Sequence, residues 1–271
     1  MVRIINKNFD LGQICESGQC FRMRQTMGAG EYELIADDKY LKLSQSGDEI
    51  SFYCGEDEFE DFWKNYFDLG TDYGAIAELV DENDEYLKNA VESCMGMRIL
   101  RQPLWETIVS FIISQQNNIP RIRRCVENIC AKYGEELKNA DGGSYHAFPK
   151  AETLAGLDEG ALMECNLGYR SKYVVRTARA VASGECIPDD LYDLDYAECM
   201  RELLKLNGVG EKVANCISLF ALHHIDAFPI DTHIKQILDA HYPGGFPFER
   251  YRGYNGIMQQ YMFYYKTHGG V

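Results

Sequence analysis

The sequence contains no long apolar run. None of its segments approaches the roughly 20 consecutive apolar residues that a membrane-spanning helix requires. The first twelve residues also lack the apolar core of a signal peptide. We therefore expect a cytoplasmic protein that has no membrane partner.

Paired cysteines are missing as well. The chain has ten cysteines, but they form no CxxC pair and no compact cluster near a histidine. In a cytosolic chain of this size such cysteines are reduced, mostly buried thiols rather than disulfides or zinc ligands. The sequence therefore predicts no metal site.

Basic residues are scarce, with 27 lysines and arginines against 42 acidic residues and a net charge of −15. This deficit argues against a nucleic-acid partner, because phosphate contacts need basic side chains. The charges are segregated, however. Residues 97–124 carry five arginines and one glutamate, and residues 168–184 carry four basic residues and no acidic one. These two segments permit a basic face on an acidic protein.

The hydrophobic pattern predicts an α+β fold. Short alternating runs at 31–36, 40–44 and 50–54, separated by turn residues, predict an antiparallel meander. The aromatic spacing across residues 59–67 then becomes helical. From residue 96 onward the chain reads almost entirely as helix. We predict an N-terminal antiparallel β-sheet domain with helices at 1–95 and a mostly α-helical domain at 96–271.

Several helix boundaries are marked by capping residues. Pro103 opens a helix whose buried stripe is expected to be Trp105, Ile108, Val109, Ile112 and Ile113. Asn118 is expected to cap the next helix, which Gly134 ends. Two more helices are predicted at 157–166 and 171–183.

Residues 197–222 predict two helices joined by a hairpin that contains Gly208 and Gly210. The two glycines permit a tight turn, and the backbone N–H groups that follow lie at a helix N-terminus, which attracts an anion such as phosphate. Lys212 lies in the first turn of the second helix. A cation is electrostatically unfavourable at this end of a helix. Such a local loss of stability is easier to explain at a functional site than on an ordinary surface.

Asp231 lies nineteen residues after Lys212 and directly precedes an amphipathic run. The position predicts an N-cap. Capping and catalysis are compatible, because a cap holds its carboxylate rigidly.

These motifs resemble the 8-oxoguanine DNA glycosylase family of the helix-hairpin-helix DNA glycosylase superfamily. The hairpin segment LNGVGEKVANCISLFAL is followed by AFPIDTHI, which supplies the aspartate. Four further segments occur in the family's order: SGQCFR at 17–22, ILRQ at 99–102, FIISQQNNIPRI at 111–122 and LGYRSKYV at 167–174. The resemblance covers almost the whole chain.

The resemblance implies a bifunctional glycosylase and lyase of base excision repair. Lys212 would attack C1′ of a flipped-out nucleotide and form a Schiff base that permits β-elimination. Asp231 would stabilise positive charge on the sugar. Gly18 would accept the N7 hydrogen of 8-oxoguanine, which guanine lacks. Further members of the implied base pocket are Cys216, Phe220, Gln259 and Phe263.

The resemblance also implies residues that contact DNA. Arg121 and Arg170 match readers of the orphaned cytosine, and Tyr169 matches a wedge in the base stack. His233 matches a phosphate contact, beside the hairpin glycines Gly208 and Gly210. Gln116 departs from the family, which commonly has asparagine there.

The implied partner is double-stranded DNA containing an oxidised purine, and we expect a monomer, associated with the nucleoid if the source is bacterial. No organic cofactor is implied, although the hairpin carbonyls could hold a monovalent cation. Two alternatives stay open: a non-catalytic helix-hairpin-helix DNA-binding protein, and a glycosylase for another lesion. The missing cysteines after Cys216 argue against the iron–sulfur relatives, and Lys212 argues against the alkylation-repair relatives.

Overall fold

The structure is a computed structural model that describes residues 1–270. Its N-terminal part contains a five-stranded antiparallel sheet in the order β1-β5-β4-β3-β2. The strands are Val2–Ile5 (β1), Met23–Gln25 (β2), Glu31–Ala36 (β3), Lys39–Ser46 (β4) and Glu49–Phe52 (β5). Alternate side chains are buried along β3, as expected for a sheet with one face against a core. The predicted meander is confirmed, with β4 and β5 shifted by one or two residues at their ends.

Short helices cover the buried face of this sheet. They are Leu11–Glu16 (α1), Glu56–Glu58 (α2), a π-helix at Phe59–Trp63 and Lys64–Tyr66 (α3). The aromatic residues predicted to share a helical face pack into the core here, and Trp63 and Phe67 are fully buried beside Phe52.

Helices form the remainder of the fold, together with a small hairpin of β6 (Glu136–Lys138) and β7 (Ser144–His146). The helices are Tyr73–Ala77 (α4), Glu85–Ser93 (α5), Leu104–Ser114 (α6), Ile119–Tyr133 (α7), Ala151–Ala155 (α8), Arg170–Ala182 (α9), Tyr196–Leu203 (α10), Glu211–Phe220 (α11), Thr232–His241 (α12) and Asn255–Thr267 (α13). Within residues 1–270, no helix has the length and apolar character needed to cross a membrane. The α+β fold class is confirmed.

The two hydrophobic cores do not divide the chain at residue 96. Tyr86 and Leu87 of α5 belong to the core of the helical part, whereas Leu100 belongs to the core beneath the sheet. The chain thus crosses between the two cores, and the boundary between residues 95 and 96 stays a prediction.

Helix α6 lies at the centre of the helical part and is buried on nearly all sides. The predicted single stripe is therefore wrong in one respect. Trp105 is only half-buried, whereas Glu106 is 9% exposed. An amphipathic pattern fails here because the helix has packed neighbours on most of its faces.

The predicted helix at 157–166 is also wrong. Only Ala161–Cys165 is helical, as a 3-10 turn, and a separate helix, α8, precedes it. Gly156 and Gly160 interrupt the segment, and Asn166 ends it with φ = 66°. Asn and Gly tolerate conformations that other residues avoid, so the chain turns here instead of continuing as an α-helix.

A buried charge network joins the sheet to the helical part. Arg22 lies 3.2 Å from Glu127 of α7 and 4.0 Å from Glu106 of α6. Glu106 also accepts a 2.8 Å hydrogen bond from the backbone N–H of Asp37, between β3 and β4. Burial raises the pKa of Glu106 to about 7, although the Arg22 guanidinium opposes this shift.

Candidate active site

The hairpin between α10 and α11 has the geometry that its glycines predict. Gly208 has φ = +80°, and a Cβ there would lie 2.7 Å from the Cβ of Tyr173, so only glycine fits. At Gly210 a Cβ would meet no atom within 4 Å, which leaves open space at the start of α11. No side chain caps this helix. Its first N–H groups are thus available to an anion.

Lys212 lies in the first turn of α11 and lines a cleft together with residues of α6, α12 and α13. Its Nζ lies 5.4 Å from the centre of the Phe111 ring on α6. Among residues 1–270 it makes no ion pair with a carboxylate within 4.0 Å. The amine therefore faces the cleft without a fixed acidic partner.

Asp231 caps helix α12, as predicted. Its Oδ1 accepts a 2.8 Å hydrogen bond from the N–H of Ile234. The carboxylate lines the same cleft as Lys212. Because the cap fixes one oxygen, the charge of Asp231 has a defined position relative to the amine.

The cleft has a volume of about 930 Å³. It contains seven of the residues predicted from the sequence: Gly18, Gln116, Gly210, Lys212, Asp231, His233 and Phe263. These residues come from five separate parts of the chain. The fold therefore brings seven of the fourteen predicted site residues to one cleft.

Gly18 and Phe263 lie in contact at one wall of the cleft. Gly18 follows α1 and has φ = +76°. A Cβ at this position would lie 3.2 Å from Cε1 of Phe263 and 3.3 Å from Cδ1 of Ile119. The absence of a side chain keeps the backbone of Gly18 accessible at the place where the resemblance puts the base.

The other three pocket residues lie behind the open surface of the cleft. Cys216, Phe220 and Gln259 are each at most 3% exposed. The Nε2 of Gln259 donates a 3.0 Å hydrogen bond to the carbonyl of Pro229, and its Oε1 accepts from Gln260 at 3.1 Å. Their contact with a base stays a prediction.

The charges of Lys212 and Asp231 both influence the pKa of the Cys216 thiol. Burial raises the pKa of this thiol, the Lys212 ammonium opposes that shift, and the Asp231 carboxylate reinforces it. The thiol therefore stays protonated near neutral pH and contributes an uncharged wall beside the amine.

Arg170 lies in a different position from the one its predicted role suggests. It is 3% exposed, and its guanidinium donates to the carbonyls of Leu167, Gln115 and Gln116. Gln116 itself has φ = +47°, an uncommon conformation for this residue type. Arg170 thus holds the bend after α6, and direct reading of a base by Arg170 stays a prediction.

The remaining predicted DNA contacts are on the surface. Tyr169 is 47% exposed, and its hydroxyl lies 3.5 Å from Oε1 of Gln116. Arg121 is exposed and reaches the carbonyl of Asn166 at 3.5 Å. The ring of His233 is exposed and lies edge-on to Phe263 at 5.9 Å.

Many basic side chains of the two basic segments are bound to acceptors within the protein itself. Arg98 donates to four backbone carbonyls in the core, Arg101 pairs with Asp68 at 2.7 Å, and Arg176 pairs with Glu159 at 2.8 Å. Within the described chain, six basic residues of these segments form no ion pair, and three of them (Arg98, Arg123 and Arg170) donate to backbone carbonyls instead. This leaves Arg121, Arg124 and Lys172 exposed on the surface without an ion-pair partner. The basic face is therefore smaller than the sequence suggests.

Several residues of the cleft were not predicted from the sequence, notably Phe111, Lys235 and Thr267. Phe111 carried a signal that could have revealed it, because it is apolar yet lies off the predicted stripe of α6. Lys235 pairs with Asp239 at 2.9 Å on the same helix, and its position on the cleft depends on tertiary packing.

Comparison with known proteins shows the family of this chain. Residues 1–108 match the N-terminal domain of 8-oxoguanine DNA glycosylase, and residues 109–244 match the HhH-GPD superfamily of base excision DNA repair proteins. The chain is 32% identical to an N-glycosylase/DNA lyase of Saccharomyces cerevisiae, over 88% of this chain and 70% of the yeast protein.

Two solved structures are similar over nearly their whole length. One is MBOgg1 in complex with a low-affinity DNA ligand, with 36% identity and a TM-score of 0.93 over 99% of this chain and 96% of that one. The other is the 8-oxoguanine glycosylase/lyase of Clostridium acetobutylicum in complex with double-stranded DNA containing cytosine opposite 8-oxoguanine. It has 37% identity and a TM-score of 0.91 over 98% and 94% of the two chains. The present chain belongs to the 8-oxoguanine DNA glycosylase family of the HhH-GPD superfamily.

Proposed function

We propose that this protein is a bifunctional DNA glycosylase and abasic-site lyase that removes 8-oxoguanine, preferentially opposite cytosine, from double-stranded DNA. The observation that carries the proposal is the convergence of Lys212, Asp231 and Gly18 on one cleft. A phosphate clamp alone requires the hairpin, but it requires neither a lysine facing the cleft nor a helix-capping carboxylate that lines the same cleft.

The hairpin binds the DNA backbone next to the lesion. Gly208 gives the tight turn, and the open space at Gly210 lets a phosphate approach the uncapped N-terminus of α11. Base flipping then brings C1′ of the damaged nucleotide to Lys212.

The unprotonated amine of Lys212 attacks C1′. The amine lies in the first turn of α11 and faces the cleft, where the entering base removes water from it. As the bond from C1′ to the base breaks, the electron pair leaves with the base. The Asp231 carboxylate stabilises the positive charge that develops on the sugar.

The lyase step uses the same lysine. Opening of the sugar ring leaves a Schiff base between Nζ of Lys212 and C1′. Loss of a proton from C2′ then expels the 3′ phosphate and nicks the strand. The Schiff base acts as the electron sink for this elimination.

Selection of the oxidised base rests on Gly18. Its backbone carbonyl would accept the N7–H of 8-oxoguanine, whereas guanine presents a lone pair at N7 and is repelled. A site built to hydrogen-bond one group strongly rejects the analogue that lacks it.

Preference for cytosine would come from residues around Gln116, which lines the cleft. Arg121 is exposed, and the hydroxyl of Tyr169 lies 3.5 Å from Oε1 of Gln116. Because residues of one chain would contact both strands in this arrangement, we further propose that the protein acts as a monomer.

The test is excision from duplexes that carry 8-oxoguanine opposite each of the four bases. Wild-type protein should excise and nick most rapidly opposite cytosine, and Lys212→Gln should do neither. Lys88→Gln on α5, which removes an exposed lysine outside the cleft, is the matched control and should retain activity. Binding to damaged DNA without excision by the wild type would favour a non-catalytic DNA-binding protein.

A further inference from the structure

The side chain of Gln115 connects two parts of the cleft. Its Nε2 donates hydrogen bonds to the carbonyl of Ile112 at 3.0 Å, in α6, and to the carbonyl of Gly208 at 2.7 Å, in the hairpin. Both amide hydrogens are thus used. The acceptor in the hairpin lies only four residues before Lys212.

The backbone of the same residue is held from the other side. The carbonyl of Gln115 accepts a 2.8 Å hydrogen bond from Nε of Arg170, and Nη2 of Arg170 donates to the carbonyl of Gln116 at 3.0 Å. A buried guanidinium with several acceptors is a rigid anchor. The bend at Gln115 and Gln116 is therefore fixed to the start of α9.

The hairpin touches α9 as well. Gly208 packs so closely on Tyr173 that no Cβ fits between them. Tyr173 and Arg170 lie one turn apart on α9, so they face the same side of the helix. The hairpin, the bend and α9 thus pack together as one unit. The side-chain amide of Gln115 donates the hydrogen bond that joins the bend directly to the hairpin.

We propose, on the basis of the proposed function, that Gln115 is a positioning residue that couples the reading of the opposite base to the placement of Lys212. Contacts of the bend with the opposite strand act on Gln116, the covalent neighbour of Gln115. Because the side chain of Gln115 is hydrogen-bonded to Gly208, a displacement of this bend also displaces the hairpin, which precedes Lys212. A correct opposite base then favours the reactive position of Lys212.

The variant Gln115→Glu tests this coupling. The carboxylate has nearly the same shape but donates no hydrogen bond, and it repels the carbonyl of Gly208. The control Gln25→Glu adds the same charge on β2, at an exposed position outside the cleft. A variant that simply failed to fold would show in thermal unfolding, so melting temperature is measured for both.

The first readout is the ratio of single-turnover excision rates opposite cytosine and opposite adenine. Loss of one hydrogen bond of ordinary strength corresponds to a ratio lowered by about fivefold. We expect this fall in Gln115→Glu, caused mainly by slower excision opposite cytosine, and no change in Gln25→Glu. Borohydride trapping on a single-stranded abasic oligonucleotide should be unchanged, because no opposite base is present.

The second readout does not depend on activity. Hydrogen exchange followed by mass spectrometry should show faster exchange in Gln115→Glu for peptides covering residues 206–213, with β3 and β4 unchanged. Unchanged exchange at the hairpin would overturn the coupling even if the wild-type protein proved inactive. Equal slowing opposite all four bases, or a wild-type enzyme without opposite-base preference, would also overturn it. An inactive wild type with the predicted exchange would overturn the proposed function instead.

Discussion

Replacing Gly18 by alanine should separate base recognition from the chemistry of Lys212. Gly18 has φ = +76°, a conformation that costs a residue with a Cβ about 1–2 kcal/mol. The new methyl would also lie 3.2 Å from Phe263 and 3.3 Å from Ile119, so these side chains must move by a few tenths of an ångström. Together these effects amount to about 1–3 kcal/mol at the wall where the base would bind.

Gly18→Ala should slow excision of the base and leave the rate of the lyase step nearly unchanged. If the displacement acts at the base pocket, the rate of 8-oxoguanine release falls by about 5- to 150-fold. An abasic site has no base to accommodate, so nicking at a preformed abasic site should stay within about twofold of the wild-type rate. Single-turnover assays on the two duplexes measure the two steps separately.

Gly47→Ala provides the matched control. Gly47 also has a positive φ, +58°, but a Cβ there meets no atom within 4 Å, and it lies in the turn between β4 and β5. It introduces the backbone strain without the pocket contacts, so excision should be unchanged. The reasoning fails if Gly18→Ala excises normally, or if abasic-site nicking slows as much as excision does.

Three further predictions concern other parts of the structure. Asp231→Asn keeps a capping oxygen, so the melting temperature should be unchanged while excision falls roughly 100-fold or more; a normal excision rate would refute the electrostatic role. Because burial raises the pKa of Glu106 from its ordinary 4.5 to about 7, the unfolded state ionises first, and stability should decline by up to about 3 kcal/mol between pH 4.5 and 7. Urea unfolding of Glu106→Gln should lack this decline. Arg121→Ala should lower the preference for cytosine by roughly tenfold, measured as the ratio of excision rates; an unchanged ratio would remove Arg121 from opposite-base reading.

Features with a local physical cause were predictable from the sequence. Asn118 and Asp231 cap their helices because their short side chains accept a bond from an N–H three residues later, and this depends on adjacent residues alone. The strand at Glu31–Ala36 follows from its alternation. The turn at Gly208 follows from a residue type that tolerates its backbone conformation.

Features that depend on distant neighbours were not predictable. Glu106 is buried because Arg22 and the backbone N–H of Asp37 satisfy it, and neither partner is near it in the chain. The burial of Arg170 depends on the carbonyls of Gln115 and Gln116, more than fifty residues away. Family resemblance assigns Arg170 to the site as a prediction, and only the fold reveals its hydrogen bonds to the bend.

The shape of the base pocket was only partly predictable from the sequence. Cys216 and Phe220 lie on one face of α11, as their spacing predicts, but both are covered in the structure. Their exposure depends on the packing of neighbouring elements such as α6 against α11, where the rings of Phe111 and Phe220 stack at 5.5 Å. Helical periodicity defines a face and does not reveal what covers it.

The central claim is that Lys212 forms the covalent bond to DNA, and borohydride trapping with peptide mapping tests it most directly. Wild-type protein is incubated with a duplex containing 8-oxoguanine opposite cytosine, reduced, digested and analysed by mass spectrometry. The account predicts a deoxyribose adduct on the peptide that contains Lys212, at Nζ of that residue, and none in Lys212→Gln. An adduct on another amine, or excision of the base without any trapped complex, would contradict it.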